Sequence, residues 1–421
     1  LFPLFASVQF FPNPCSSPFG FRIFICVHPC LSVAKIIRVL AIPKIMRAAV
    51  YRGANNLQIE TVPVPRLGRN ELLVQVASCG VCPTDIKKIH YGTVPPPRIF
   101  GHETAGTIVQ IGGGAKTLAV GQARFRVGDR VALHHHVPCL DCHYCRHHAF
   151  AQCAQYKRTG ITAGFEPAGG GFAEYVRVMP FVLPGVVKIP AKNSFEEGAM
   201  LEPVNTVLKA VKRLSLLPGD NVLVAGQGPI GLMFTKLLQL RGMNVLATDL
   251  LDSRLKLAKK FGAKWTQKPE VKGQNSEAGT PSSILHPRSS AVRLDAAILA
   301  VPSDAALEDA FQRIRGAGQI LLFAHTKRAS PVTDQSANPP VASGLFGLDL
   351  SRICVDEKDL LGSYSADFTL QREVSRLVFS RQLDVRSLIT HRFPLEQTAA
   401  AVDLAAHPQP ESLKILVTNQ S

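Results

Sequence analysis

Between Met46 and about Lys188, apolar positions fall in short runs separated by glycine and proline. ELLVQVASCGV (71–81) and TAGTIVQIG (104–112) alternate or run apolar, which predicts strands with one or both faces buried. RAAVYRG (47–53), GDRVAL (128–133) and FAEYVRV (172–178) predict three more, and Pro95, Pro96 and Pro97 mark a loop. The stretch reads as a β-rich region with inserted loops.

Past Leu201 the period changes. NVLVAG (221–226) predicts a buried strand, GPIGLMFTKLLQLRG (228–242) a helix, NVLATD (244–249) a second strand and SRLKLAKKFG (253–262) a second helix. DAAILAV (295–301), QILLFA (319–324) and DLLGSYS (359–365) add strands, with the helix DAALEDAFQRIRG (304–316) between the first two. From Asp367 the tail holds a helix, REVSRLVFSRQL (372–383), and a last strand, SLKILVT (412–418). Strand alternating with helix predicts an α/β unit with a parallel sheet. The polar, Pro/Ser-rich stretch 267–290 predicts a surface excursion.

Composition changes this picture in two places. The first 45 residues carry Arg22, Lys35, Arg38 and Lys44, no acid and many Phe. Charges and His28-Pro29 interrupt their apolar stretch, so it predicts no membrane helix. An acid-free basic segment suggests a transit peptide or upstream sequence. The second reading is preferred, because RAAVYRG begins a good first strand directly after Met46. The chain is also basic, with 47 Lys plus Arg against 31 Asp plus Glu. These charges are scattered, without a run of five, so a pull on anionic cofactors is expected rather than nucleic-acid or membrane binding.

Four of the ten cysteines fall in PCLDCHYCRHHAFAQC, as Cys139, Cys142, Cys145 and Cys153. Four thiolates at this spacing can close a tetrahedron around a structural zinc ion. Two disulfides would strain so short a loop, and a redox pair would leave two thiols unexplained. Metal-binding thiols imply a reducing compartment, so the cytoplasm is expected.

Gly226, Gly228 and Gly231 form G-x-G-x-x-G between a predicted strand and a predicted helix. Such a loop, with Pro229 and Ile230 inside it, brings backbone close to a pyrophosphate at a helix N-terminus. Asp249 ends the next strand, where a carboxylate accepts the adenosine ribose hydroxyls and repels a 2′-phosphate. NAD is therefore expected over NADP. Arg254 weakens that preference because it can reach a phosphate; a helix N-cap is the bland alternative for Asp249, and the spacing favours ribose binding over it.

A second ligand set lies outside the cysteine stretch. Cys82 in GVCPTD, His102 and Glu103 in FGHETAG, and Glu202 in LEPVN supply thiolate, imidazole and carboxylate, the donors of an open catalytic zinc site. Singly, each has a bland reading as core thiol, satisfied histidine or surface charge. The conjunction with the cysteine stretch and the glycine loop makes those readings poor.

GVCPTD, GHE, the cysteine stretch, GDRV, FAEY, LEPV, GQGPIG and ATDL together resemble the zinc-containing medium-chain dehydrogenases, in the branch of the sorbitol and threonine dehydrogenases. The resemblance runs from Met46 to the last strand. It implies a GroES-like β-rich catalytic domain (46–203), a Rossmann doubly wound parallel-sheet coenzyme domain (204–366) and a tail (367–421) that returns to the first. It implies Cys82 and His102 as catalytic zinc ligands, with Glu103 as ligand or close neighbour. Glu202 takes the fourth position or holds the zinc-bound water. Thr84 begins a proton relay that His90 can extend, and Asp85 braces a ligand. Two zinc ions, one catalytic and one structural, would serve hydride transfer between NAD and a secondary alcohol: a polyol, sugar alcohol or threonine-like hydroxyl. A homodimer or homotetramer is implied. The alternative is a zinc-stabilised dinucleotide-binding protein without turnover.

The chain departs from the family pattern at several points. Pro83 stands where glycine is usual, residues 113–123 lengthen a connection, and Cys79 adds a thiol near Cys82. His134, His135, His136, His143, His147 and His148 crowd the approach to the cysteine stretch and are expected at its surface or a cleft edge.

Overall fold

Two sheets account for the two periodicities. The computed structural model describes residues 42–134, 137–154, 169–269, 293–324 and 350–419. Residues 1–41, most of 267–290, His135 and His136 lie outside that set.

The β-rich region forms a mixed sheet centred on Leu72–Gly80. Glu103–Ile111 and Tyr175–Val178 pair antiparallel with it, and Arg130–Ala132 and Val187–Lys188 extend the order outward. Leu72, Val74 and Val76 are buried with Ile108, Val131 and Val176, which explains the apolar run of the central strand. Ile45–Gly53, Asn56–Pro63 and Arg98–Ile99 form a separate three-stranded sheet. The lengthened connection folds into a hairpin, Thr117–Val120 against Ala123–Arg126, with Gly121 in the left-handed region (φ 55°) at its turn. Sequence periodicity had suggested only a long loop there.

The tail joins the same sheet. Lys414–Thr418 pairs antiparallel with Leu72–Gly80 and parallel with Ile389–Pro394. Residues near the end of the chain thus lie beside the Cys82 segment.

The second sheet is wholly parallel, in the order Trp265–Gln267, Asn244–Thr248, Asn221–Ala225, Leu294–Leu299, Ile314–Leu322, Asp359–Gly362. In chain order this is three-two-one-four-five-six, the doubly wound arrangement whose direction reverses between the first and fourth strands. Alternate side chains serve two cores. Val222 and Val224 face one cluster, and Leu223 and Ala225 face the other. A sheet covered on both faces requires this continuous apolar run. The helix Pro229–Leu240 packs Leu232, Phe234 and Leu238 into the first cluster, beside Val204 and Leu208 of the helix Leu201–Val211. Truncating fully buried Phe234 to Ala would cost about 3–5 kcal/mol.

One boundary differs from expectation. The helix predicted over 304–316 ends at Arg313, and Ile314 already pairs with Leu294. Ala317 at φ 54° takes up the kink before pairing resumes at Gln319. Burial of Ile314 against the sheet outweighs the helical pattern of its neighbours.

Candidate active site and metal centres

The central strand delivers Cys82. Past Gly80 the chain turns into the helix Pro83–Tyr91, with Cys82 as its N-cap and the Thr84 N–H donating to Sγ at 3.5 Å. Pro83 occupies the first helical turn, where a missing N–H costs nothing, so its departure from the family pattern is benign. His102 and Glu103 open the neighbouring strand, and Glu103 pairs with Gly80. A side chain at position 80 would collide with the Glu103 carboxylate, the nearest oxygen lying 1.8 Å from a Cβ placed there. Gly80 is what lets Glu103 fold toward Cys82.

One ligand atom each from Cys82, His102 and Glu103 lies within 4.8 Å of the others, and both His102 and Glu103 are buried. Thiolate, imidazole and carboxylate this close, two of them anionic, fit a divalent zinc ion. Glu202 is not in this trio. It stands buried in the first turn of Leu201–Val211, where burial pushes its carboxyl up to about 7 while the charge of His102 pulls the other way.

Asp85 is fully buried on the helix that Cys82 caps, and its Oδ1 lies 3.2 Å from His102 Nδ1. That contact leaves Nε2 for a metal, the usual bracing of a histidine ligand. Burial works to lower the His102 pKa, but Asp85 and Cys82 outweigh it and hold it well above the usual imidazole range. Asp85 is correspondingly held low: burial opposes its charge, and His102, with Lys88 and Lys414, overcomes that.

Other sequence candidates fall differently. Cys79 is not in the trio: its Sγ lies 3.4 Å from Thr104 Oγ1, and burial pushes its thiol up to about 12. Thr84 is half-buried beside Cys82. His90 lies six positions along the same helix, about 9 Å of rise from Thr84. Its ring packs against His407, centroids 6.4 Å apart, so no direct Thr84–His90 hydrogen bond can form. His143, His147 and His148 are exposed, as expected, whereas His134 is buried and pushed down to about 4 by that burial.

In the cysteine lobe, Sγ separations are 3.5 Å (Cys142–Cys145), 3.6 Å (Cys139–Cys153) and 3.9 Å (Cys139–Cys145). A zinc–sulfur bond of about 2.3 Å implies a tetrahedral edge of roughly 3.8 Å, close to these values. All four thiols are free, and disulfide bonds would need sulfurs about 2 Å apart. Backbone N–H groups of Asp141 and Cys142 hold the Cys139 thiol down to about 6, while burial pushes Cys145 up to about 12. The lobe leans on the tail through Phe150 and Phe368, ring centroids 5.6 Å apart.

The glycine loop follows the first parallel strand, where the sheet order reverses. Gly226 takes φ 88°, and a Cβ on Gly231 would lie 1.8 Å from the Gly226 carbonyl oxygen. A Cβ on Gly228 would meet nothing within 4 Å, so this face of the loop is open to a ligand. Pro229 and Ile230 begin the helix. Asp249 accepts the Gln227 N–H at 2.7 Å and the Leu251 N–H at 2.9 Å, with Arg254 Nη1 3.9 Å away. Asp249 is not the helix N-cap, which is Leu251 without a side-chain cap bond; its carboxylate instead holds the turn between the glycine loop and the helix Asp252–Lys260. Sequence reasoning missed Gln227, whose buried side chain links Thr235 Oγ1 (3.0 Å) to the Val224 carbonyl (2.9 Å). It missed Lys414 as well, although a lone lysine opening an apolar strand was a visible anomaly.

A reversed parallel sheet with a glycine loop, joined to a buried zinc-type ligand trio, defines a dinucleotide-dependent metal oxidoreductase. Residues 68–191 match the alcohol dehydrogenase GroES-like domain, and residues 229–379 match the zinc-binding dehydrogenase family. Sorbitol dehydrogenase of Bacillus subtilis is 30% identical over 385 residues, covering 89% of this chain and 98% of that protein. An alcohol dehydrogenase of Escherichia coli CFT073, solved with NADH, matches with TM-score 0.69 at 25% identity, over 89% of this chain and all of that one. The 2R,3R-butanediol dehydrogenase of Bacillus subtilis shares the fold, with TM-score 0.69 at 22% identity, over 89% of this chain and 100% of that one. The chain belongs to the zinc-containing medium-chain dehydrogenases, in the branch of the sorbitol dehydrogenases. It is a zinc-dependent alcohol oxidoreductase that uses a nicotinamide cofactor. Among the described residues no helix is long and apolar enough to cross a membrane.

Proposed function

We propose that the chain oxidises a polar secondary alcohol, of the polyol, sugar-alcohol or threonine-like class, with NAD as hydride acceptor. The observation that carries this reading is the Cys82–His102–Glu103 trio, whose buried His102 and Glu103 act on Glu202 in the first turn of Leu201–Val211, a helix packed against the one that follows the glycine loop. The names of the relatives support the polyol class: sorbitol for one, a butanediol for another.

Cys82, His102 and Glu103 hold the catalytic zinc, with Glu202 at the fourth position or on its water. When bound, the metal polarises the substrate hydroxyl so that its proton leaves near neutral pH. Asp85 fixes the His102 ring, which keeps the site's geometry from relaxing between turnovers. Burial raises the Glu202 carboxyl pKa, and Glu202 and the Thr84 hydroxyl are the groups offered for moving the proton. Gly226, Gly228, Pro229, Ile230 and Gly231 cradle the pyrophosphate, and Asp249 takes the ribose hydroxyls. Its charge favours NAD over NADP, moderated by Arg254. Cys139, Cys142, Cys145 and Cys153 hold a second, structural zinc.

The working division is a catalytic part over 46–203, a coenzyme part over 204–366 and a returning tail over 367–421. Family resemblance supports a homodimer or homotetramer, and free thiols placed as metal ligands in both sites support the cytoplasm. The test is a panel of secondary alcohols with NAD, read by NADH absorbance, with zinc quantified on the same sample. Turnover of polyols by protein holding about two zinc ions per chain is expected. A zinc-loaded chain that binds NADH yet oxidises none of the panel would overturn the reading.

A further inference from the structure

Lys414 is nearly fully buried, with 6% of its surface exposed, at the start of the strand Lys414–Thr418. Burying an ammonium costs several kcal/mol unless its protons are used. One of its partners adjoins a residue of the ligand trio and the other belongs to the trio. Nζ donates to the Val81 carbonyl at 2.9 Å and to Glu103 Oε1 at 2.6 Å, with Glu103 Oε2 also in ion-pair contact. Val81 immediately precedes Cys82, and Glu103 immediately follows His102. The Val81 N–H donates to the Ile415 carbonyl at 3.0 Å, so the C-terminal strand holds Val81 through both its N–H and its carbonyl.

We infer that Lys414 is a positioning residue for the metal centre: its ammonium ties the Cys82 segment to the His102–Glu103 segment and sets their spacing before the metal arrives. This rests on the assignment of Cys82, His102 and Glu103 to the catalytic zinc. The lysine touches neither substrate nor coenzyme in this role. It turns the aim of Glu103 and the place of Cys82 into a property of the returning tail. The two segments are otherwise connected by the Asp85–His102 contact and by strand pairing that stops at Gly80 and Glu103, two residues short of Cys82 and one short of His102. The cross-link covers that last step.

The test compares wild type, Lys414→Met and Lys414→Arg as full-length zinc-loaded protein. Zinc release to a chromogenic chelator is followed, and the absorption spectrum is recorded after cobalt replaces zinc at the buried site. Lys414→Met is expected to release buried-site zinc about 10–100-fold faster and to shift the cobalt bands. Release from the cysteine lobe and NADH affinity should stay as in wild type. Lys414→Arg should restore most of the retention, because a guanidinium can still bridge a carbonyl and a carboxylate. If Lys414→Met folds poorly, Lys414→Gln keeps a donor for the Val81 carbonyl while removing the charge that holds Glu103, and it should also speed release. Wild-type release and an unshifted cobalt spectrum in a folded Lys414→Met or Lys414→Gln protein would overturn the inference. A wild-type chain holding zinc only in the cysteine lobe would instead overturn the catalytic-zinc assignment on which it rests.

Discussion

The cysteine lobe and the buried trio are opposite solutions to holding a metal. The lobe takes all four sulfurs from one short stretch, 139–153, keeps Cys139 exposed, and leans on the rest of the chain through a small contact at Phe150 and Phe368. The trio draws Cys82 from the end of one strand and His102 and Glu103 from the start of another. It is then braced by Asp85 on a helix and Lys414 on the returning tail. A local site needs only its turn to form, whereas a distributed one exists only when the mixed sheet is complete. The first should therefore govern integrity of the lobe, and the second should govern turnover.

Breaking that contrast begins with Cys82→Ala. Loss of several kcal/mol of charge stabilisation should lower alcohol turnover on the order of 10³-fold or more, while NADH binding, measured by fluorescence titration, is unchanged. Asp85→Asn should loosen the His102 ring and cost about 10–100-fold in zinc affinity or activity, measured by chelator competition. An unchanged affinity would mean that the 3.2 Å contact is incidental. Asp249→Ala probes a part of the molecule outside both clusters. It should shift the NAD-to-NADP preference by about tenfold, the equivalent of a charged hydrogen bond worth about 1.5 kcal/mol, without touching zinc content. Cys142→Ser should lower the melting temperature by several degrees, while folded molecules turn over within about twofold of wild type. Equal loss of turnover in Cys142→Ser and Cys82→Ala would erase the distinction between the sites.

The smallest effect concerns acid stability away from either metal site. Burial works to raise the Glu197 carboxyl pKa. Arg381, the Ser194 N–H and Asn193 outweigh it, so the folded pKa lies below the usual carboxylate range. Its contribution is therefore present above the unfolded carboxylate pKa and is lost as pH falls through the lower, folded value. Glu197→Gln should cost about 1 kcal/mol at neutral pH, discounted for the half-exposed Arg381. That cost should vanish in acid melts.

How much could be read beforehand follows the same local–distributed divide. The lobe and the glycine loop were legible because spacing alone encodes them. The Asn221–Ala225 strand, the turn at Gly226 and the helix from Pro229 follow one another without interruption. The candidate ligand set could be named and grouped from short motifs, but the contacts that aim it could not, because pairing of Gly80 with Glu103 is a long-range event. Lys414 lies more than three hundred residues from Glu103, so no local pattern announces their contact. The hairpin over 117–126 was hidden for a different reason. Its strands are only four residues each, too short for periodicity to show against glycine-rich flanks. Arg313 and Ile314 illustrate the reverse error, in which a helical pattern ran past the point where sheet pairing takes over.

The most direct test counts zinc per chain in three proteins purified under reducing conditions: wild type, Cys82→Ala and Cys142→Ser. Two separable sites predict about two, one and one ions respectively, with alcohol oxidation lost only in Cys82→Ala. A wild-type chain holding a single zinc, or a Cys82→Ala chain that keeps two and still oxidises alcohols, would contradict the assignment of the buried trio as the catalytic metal centre.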